Sequence, residues 1–501
     1  MIVFIIFMVF CFIYWIHMRD KRIEKLMEQF PGPVMHPIFG NVFNYFTSDL
    51  QEMKRRECEA FRKYGETFRV KKIRSYVIST SDPKLHEKIL SNTTNYLDKT
   101  SDYDIMKTVL GNGLITSAGY QWYSHRKIIQ PAFNVNILKQ FIEIFEQQSK
   151  ILVERLKSHC NGLIDVSKYV EPFACDMIIE TSMGLKSNTQ VNNGSEYAHS
   201  MSILKHVCSK RMMSYWRRFD ILFSTFGYSD KRIFEDRKQF VKQFAVEVIE
   251  SRRKILLEKM DTEKSSDENN PNKNIRMCFL DVLLQSLIDG LPLSNEEMLD
   301  EVQLFMAAGQ DTVTQAISGT LFLLSRHKPV QDKLYAEIDE VFGNDKENTI
   351  THQQLADLKY MDMVIKESLR IFPAIQMIGR NIDHDLILDD GRTIPAGVEV
   401  RLCFGATMKS PKYFQNPIDF NPDRFACEET NPFTYSPFSA GKRDCVGKKY
   451  AIFSIKIALT RVLQHYELLA MGQEPIIQKE IISRSINGFQ MALKLRTTQK
   501  N

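Results

Sequence analysis

The sequence predicts a mainly α-helical protein with a small β region, and three observations lead there. Residues 294–327 run without a proline behind a capping box, Ser294-Asn-Glu-Glu297. Helical patterns also fill 135–260, with polar breaks, and 446–467. Strand signals are confined to short runs at 68–80 and 386–402. With 501 residues, 44% hydrophobic and 25% charged, the chain is ordinary for a globular protein and too long for one small core. A net charge of +5 is mild and gives no reason to expect nucleic acid as a partner. Nine cysteines at irregular spacing read as reduced thiols on the cytosolic side, not a disulfide framework.

Taken in order, Met1 to Ile16 is apolar and uncharged, is extended by His17 and Met18, and is followed by Arg19, Lys21, Arg22 and Lys25. That reads as a transmembrane anchor over 1–18 whose basic flank keeps the body of the chain in the cytosol. A cleaved signal peptide is the rival reading, but it usually carries its basic residues before the apolar run. The basic flank and the proline-rich Pro31-Gly32-Pro33 and His36-Pro37 make 19–41 a stiff, extended connector, with the folded body over 42–501. Residues 111–119, with glycine at 111, 113 and 119, read as a flexible loop. A helix then begins near Tyr120, placing Trp122 and Arg126 on one face, an indole N–H and a guanidinium that suit buried carboxylates. Arg211 to Phe219 suits either a membrane interface or a core helix with a solvated basic edge, and 261–276 reads as an exposed loop.

The run from Ser294 would make a helix of about 50 Å. In its middle stands Ala308-Gly309-Gln310-Asp311-Thr312, small residues that would let a flat ligand approach, then an acid and a hydroxyl. Thr312 and Asp311 could move protons; equally, Thr312 could bond back to the carbonyl four residues earlier and Asp311 could be a surface charge. Glu367 and Arg370 are three apart on a helix, the spacing of a common surface ion pair. Asp390-Gly391 marks a hairpin.

Residues 438–447 read Phe-Ser-Ala-Gly-Lys-Arg-Asp-Cys-Val-Gly. A metal-ligating cysteine must be a thiolate, and hydrogen bonds and nearby cations favour that form. Gly441 and Gly447 would allow a tight turn with N–H groups aimed at Cys445, Phe438 would shield it, and Arg443 would supply charge. With Phe438, Gly441, Arg443, Cys445 and Gly447 in register, the decapeptide resembles the haem-binding pattern of the cytochrome P450 family. The resemblance extends to Ala308 through Thr312, to Trp122 and Arg126, and to the proline-rich segment behind an anchor. It is strongest to the membrane-bound, fatty-acid-hydroxylating branch, family 4.

The resemblance implies the cytochrome P450 fold, one catalytic domain over 42–501 and haem b on Cys445. It further implies propionate contacts from Trp122, Arg126 and Arg380, and proton delivery by Asp311 and Thr312. Glu367, Arg370 and Arg424 would form a buried structural lock. Ala308 stands where that branch often has a haem-esterifying Glu, with Gln310 where it has His, so the haem is expected to be non-covalent. Lys442, Lys448 and Lys449 suit an acidic partner, and no flavin or nicotinamide fingerprint appears, so electrons would come from NADPH-cytochrome P450 reductase. The expected enzyme is a monooxygenase of the endoplasmic reticulum membrane, facing the cytosol and acting on a lipophilic molecule, first a fatty acid, otherwise a steroid or xenobiotic. A haem-thiolate isomerase or dehydratase and a non-catalytic haem protein are the alternatives. Pocket residues are expected before Trp122, along Phe305–Thr312, at Ala374–Met377 and near Ile486–Phe489.

Overall fold

A computed structural model describes residues 21–36, 40, 41, 49–72, 75–192, 196–264, 277–343, 346, 348–427 and 431–496. Its longest central element is the helix Asn295–Arg326, which starts where the capping box requires. Ser294 Oγ accepts from the Glu297 N–H at 3.2 Å, and Glu297 accepts the Ser294 N–H at 2.9 Å. The helix ends at His327, where φ is −125°, and Pro329 opens the next helix, Lys328–Phe342. Its 32 residues span about 48 Å and pack against the helices Ser167–Ile178, Lys359–Ile371 and Lys448–His465. The large core between them includes Phe145, Phe173, Met306, Ile317, Leu324 and Leu459.

The two strand regions seen in sequence join in one four-stranded sheet. Its order is Thr67–Lys71, Tyr76–Thr80, Glu399–Leu402, Ile378–Asn381, with only the middle pair parallel. A second core of Ile78, Val400, Leu402, Phe404 and Met408 packs beside this sheet. The Asp390-Gly391 turn joins Leu386–Ile387 to Thr393–Ile394, with Gly391 at φ 82°. A three-stranded sheet unites Leu163–Asp165, Tyr466–Leu469 and Gln490–Leu495. The architecture is therefore helical with small sheets.

Several expectations change. The proline-rich connector is fastened to the sheet edge: the Arg69 N–H donates to Pro31 O at 2.8 Å and the Lys71 N–H to Asn41 Oδ1 at 2.9 Å. A Cβ on Gly32 would lie 2.4 Å from Arg69 O, so the contact demands glycine. The loop 111–119 is tied down as well, since Asp300 and Glu301 accept the N–H groups of Asn112 and Leu114 at 2.7 and 3.2 Å. In the 211–219 segment, Arg211 is buried, lies 4.5 Å from the Phe223 ring and pairs with Asp220 at 2.5 Å. Phe219 at its end and Ile221, Phe226 and Tyr228 just beyond it are exposed. Of 261–276, residues 261–264 close the helix Tyr228–Lys264 and the remainder lies outside the described residues. The 1–18 stretch also lies outside them; among the described residues no helix is long and apolar enough to cross a membrane.

Glu367 and Arg370 form no surface pair. Both are wholly buried, joined at 2.8 and 2.9 Å, and Arg424 Nε donates to the same carboxylate at 2.9 Å. Arg370 also donates to the carbonyls of Met408, Pro417 and Asp419, so the lock gathers residues 408–424 against the helix Lys359–Ile371. Removing one member of a buried charge network leaves the others uncompensated, at about 3–5 kcal/mol. Glu367→Ala is therefore expected to lower the unfolding free energy obtained by urea titration by that order, and a value equal to wild type would show the lock to be dispensable.

Candidate functional site

The segment secured by this lock leads into the cysteine loop, where the Tyr435 hydroxyl donates to Lys366 O at 2.9 Å. Within the loop the Cys445 N–H donates to Phe438 O at 2.9 Å, and the Asp444 N–H to Gly441 O at 3.1 Å. Gly441 has φ 76°, and a Cβ there would lie 1.9 Å from Leu90 O, so only glycine fits. Gly447 differs from expectation: its φ is an ordinary −85°. Its N–H bonds the Cys445 sulfur, and a Cβ there would stand at an ordinary 4.0 Å from that sulfur, so what the position contributes is its N–H and not a lack of side chain. The helix Lys448–His465 begins immediately after.

Cys445 opens onto a cavity of about 370 Å³, within the range of small-molecule and cofactor sites. Its wall includes Phe438, Trp122, Arg126, Ala308 and Thr312. Burial raises the Cys445 thiol above its ordinary value, while the Gly447 N–H and the charges of Arg126 and Lys448 lower it. Arg443, expected to supply that charge, instead lies 4.3 Å over the Trp122 ring and donates to Ser117 O at 2.8 Å. Arg126, expected only as a propionate contact, donates to Asp444 O and Oδ1 at 2.8 and 2.6 Å, beside the cysteine.

A cluster of cations stands on one side of this cavity. Lys99 lies on its wall and is held well below its usual range by burial, Arg380 and Arg443. Arg443 is lowered to about 10 by burial and Arg380, and Arg380 is lowered by burial. Arg380 is 2% exposed, donates to Gly379 O at 3.0 Å and stands behind the lining residues. Asp98 stands 3.8 Å from Arg443, too far for a hydrogen bond, and the buried Nε and Nη1 of Arg443 have no hydrogen-bond partner among the described residues. Cations that depress one another with unpartnered N–H groups favour an anion. Haem fits: Cys445 could ligate its iron, the apolar wall could cover its faces, and Arg443 with Lys99 could meet its propionates. Lys99 was not singled out in sequence, where nothing marks an isolated lysine. It is brought here because the Asn381 N–H donates to Asp98 O at 2.9 Å.

The long helix contributes unequally. Thr312 reaches the cavity and donates to Ala308 O at 2.8 Å, the back-bond of the plainer reading. Asp311 turns aside to pair with Lys205 of the helix Glu196–Met213. The two groups read as an acid–hydroxyl pair are thus not presented together. Gly309 makes room chiefly for Ile178, whose Cδ1 would lie 2.4 Å from a Cβ. Phe305, Ala374 and Met377 line the cavity as expected, but the C-terminal contribution comes from 479–482; Phe489 is buried near Phe322 and Phe372, and Ile486 is exposed.

One buried pair escaped the sequence reading. His125, next to Arg126, lies 2.7 Å from Glu301 and 3.6 Å from Glu297, fastening the helix Gly119–Ile129 to the long helix. Burial opposes the charged imidazole, but Glu301 and Glu297 outweigh it and raise His125. Burial raises the Glu301 carboxyl, which His125 only partly offsets.

A family model described as Cytochrome P450 matches residues 30–492. Cytochrome P450 4d2 of Drosophila melanogaster is 37% identical over 473 residues, 93% of this chain and 94% of the relative. Cytochrome P450 4d8 of the same organism is 37% identical over 441 residues, covering 87% and 95%. Probable cytochrome P450 4d21, also from that fly, is 34% identical over 493 residues, 96% of each chain.

Both His125 and Glu301 hold protons more tightly folded than unfolded, so their stabilisation falls as pH rises. It is full below the ordinary carboxyl value of 4.5 and is lost through and above the ordinary histidine value of 6.5. His125→Gln is expected to flatten the decline of the thermal midpoint between about pH 6 and 8. An unchanged slope would remove this pair as its source.

Proposed function

The chain belongs to the cytochrome P450 family and is a monooxygenase; from that premise we propose that it hydroxylates fatty acids, using electrons passed from NADPH by a separate reductase. When bound, haem b, held non-covalently through a cysteine thiolate, supplies the oxygen-activating chemistry. One observation carries the substrate reading: the cavity onto which Cys445 opens is walled largely by aliphatic and aromatic side chains, among them Leu110, Phe133, Phe305, Val313 and Ile481. Such walls exclude water and orient an alkyl chain, and resemblance to family 4 relatives favours a fatty acid over a steroid or xenobiotic.

In this reading Cys445 ligates iron, Arg443 and Lys99 hold the propionates with Trp122 and Arg380 beside them, and Ala308 offers no carboxylate for an ester. Arg126 keeps Asp444 and the cysteine loop in place. Thr312 donates its proton to Ala308 O and presents its oxygen as an acceptor that can orient a water in the cavity. Asp311 is the proposed acid behind it, reached along the helix flank. The exposed Lys442, Lys448 and Lys449 near the cysteine loop suit an acidic reductase surface. We assign 1–18 as anchor, 19–41 as flank and connector and 42–501 as catalytic domain, in the endoplasmic reticulum membrane facing the cytosol. The exposed Phe219, Ile221, Phe226 and Tyr228 add a second apolar contact for that bilayer.

Purified protein mixed with reductase, NADPH and a lipid panel is expected to hydroxylate a fatty acid in the presence of reductant. Conversion without reductant would identify an isomerase or dehydratase, and no conversion a non-catalytic haem protein. Cys445→Ser is expected to abolish the thiolate-type band of the reduced carbon-monoxide difference spectrum; its persistence would remove Cys445 as ligand.

A further inference from the structure

A second, smaller cavity of about 70 Å³ adjoins the first and shares Met212, Met377, Arg401 and Lys479 with it. Its wall is crowded with cations, Lys54, Lys71, Lys72, Arg218, Arg401 and Lys479, against the single acid Glu57. Two carboxylates stand among the three central cations. Asp102 lies 3.0 Å from Arg401 and 3.5 Å from Lys72 and also contacts Arg218, and Glu399 lies 2.6 Å from Lys72. Three positive charges thus face two negative ones. Lys479 pairs with Glu57, Lys71 with Glu24 at 2.9 Å, and Lys54 donates to the Ile477 carbonyl at 2.9 Å.

We propose that Lys72, Arg218 and Arg401 form a carboxylate-binding subsite that fixes the head of an alkyl monocarboxylate while its chain runs into the cavity toward Cys445. The inference rests on the fatty-acid reading above and assigns the residues that would recognise the acid. The Arg401 Nε is buried without a hydrogen-bond partner among the described residues, leaving a donor for such a head. Burial and the charge of Arg401 lower Lys72 to about 8 and Arg218 to about 10, so an added anion would relieve repulsion already present. The subsite is separate from the propionate cluster. Gly379 faces Arg401 and Arg380 faces Val400 in the sheet, so Arg380 and Arg401 occupy adjacent rungs and opposite faces. Anchoring the polar end here leaves the distal carbons for oxidation, which makes these residues determinants of both affinity and position of attack.

The test is equilibrium dialysis of the holoenzyme against dodecanoate and its methyl ester, equal in chain but not in charge. Wild type is expected to prefer the acid. Arg218→Gln and Lys72→Gln are each expected to cut the acid-to-ester affinity ratio about tenfold. Glu57→Gln, which removes a competing negative charge, is expected to raise it, a gain that misfolding cannot imitate. Unchanged ratios in the three variants, or equal losses for acid and ester, would overturn the subsite and leave an ion network of the scaffold. A wild type that hydroxylates alkyl chains without preferring the acid would overturn the subsite alone. A wild type that binds and oxidises neither probe would overturn the fatty-acid reading with it.

Discussion

Two arginines from different parts of the chain, Arg370 and Arg424, share the buried carboxylate of Glu367, and the Asn421 N–H joins them at 3.0 Å. Desolvating this group costs more than a hydrophobic contact of the same volume would, so its value lies in register. Every spare guanidinium donor finds a carbonyl between 408 and 419, which holds an irregular segment that neither helix nor strand hydrogen bonds could hold. That segment delivers the chain to Tyr435 and Gly441, where the Leu90 carbonyl leaves no room for a side chain. The sulfur at 445 is positioned by this succession, from a buried charge to an irregular loop to a glycine turn.

The interior around that sulfur is short of negative charge in two places. Lys99, Arg380 and Arg443 repel one another on one side, and Lys72, Arg218 and Arg401 do so on the other face of the sheet. A soluble fold ordinarily avoids buried, mutually repelling cations, because each must be desolvated without full compensation. The excess is intelligible when anions from outside the polypeptide complete it. Two such groups are at hand for a haem enzyme of this kind, the propionates of the cofactor and the acid end of the proposed substrate.

What could be read from sequence was local. Ser294 and Glu297 mark a helix start because both capping partners lie within four residues, and Asp390-Gly391 marks its turn for the same reason. Gly441 and Cys445 are legible through a spacing within one decapeptide. What could not be read was pairing across the chain. The parallel contact of Tyr76–Thr80 with Glu399–Leu402 spans more than half the sequence, and neither strand carries a sign of the other. Lys99 and the His125–Glu301 pair look like any surface charge until the fold buries them. Arg126, and not Arg443, reaches the residue beside the sulfur, while Arg443 turns onto Trp122, because spacing along the chain says nothing about where a long side chain finally points.

The long helix explains why an acid and a hydroxyl side by side in sequence do not face the same space. Its cavity wall comes from Leu304, Phe305, Ala307, Ala308, Gly309, Thr312, Val313 and Ala316, which recur every three to four residues and so form one broad stripe. At about 100° per residue the stripe is wide enough to hold both Thr312 and Val313, and Asp311, on the other side of Thr312, falls beyond its edge on the flank. There it meets Lys205, which burial lowers to about 8 and which itself lines the cavity. Asp311 therefore ties the Glu196–Met213 helix to the long helix, while the back-bond from Thr312 to Ala308 keeps the Thr312 oxygen as an acceptor toward the cavity. For the proposed proton delivery this arrangement is a constraint: with Asp311 held by Lys205 and the Thr312 hydroxyl bonded to Ala308 O, the two side chains are not placed for direct transfer to one another.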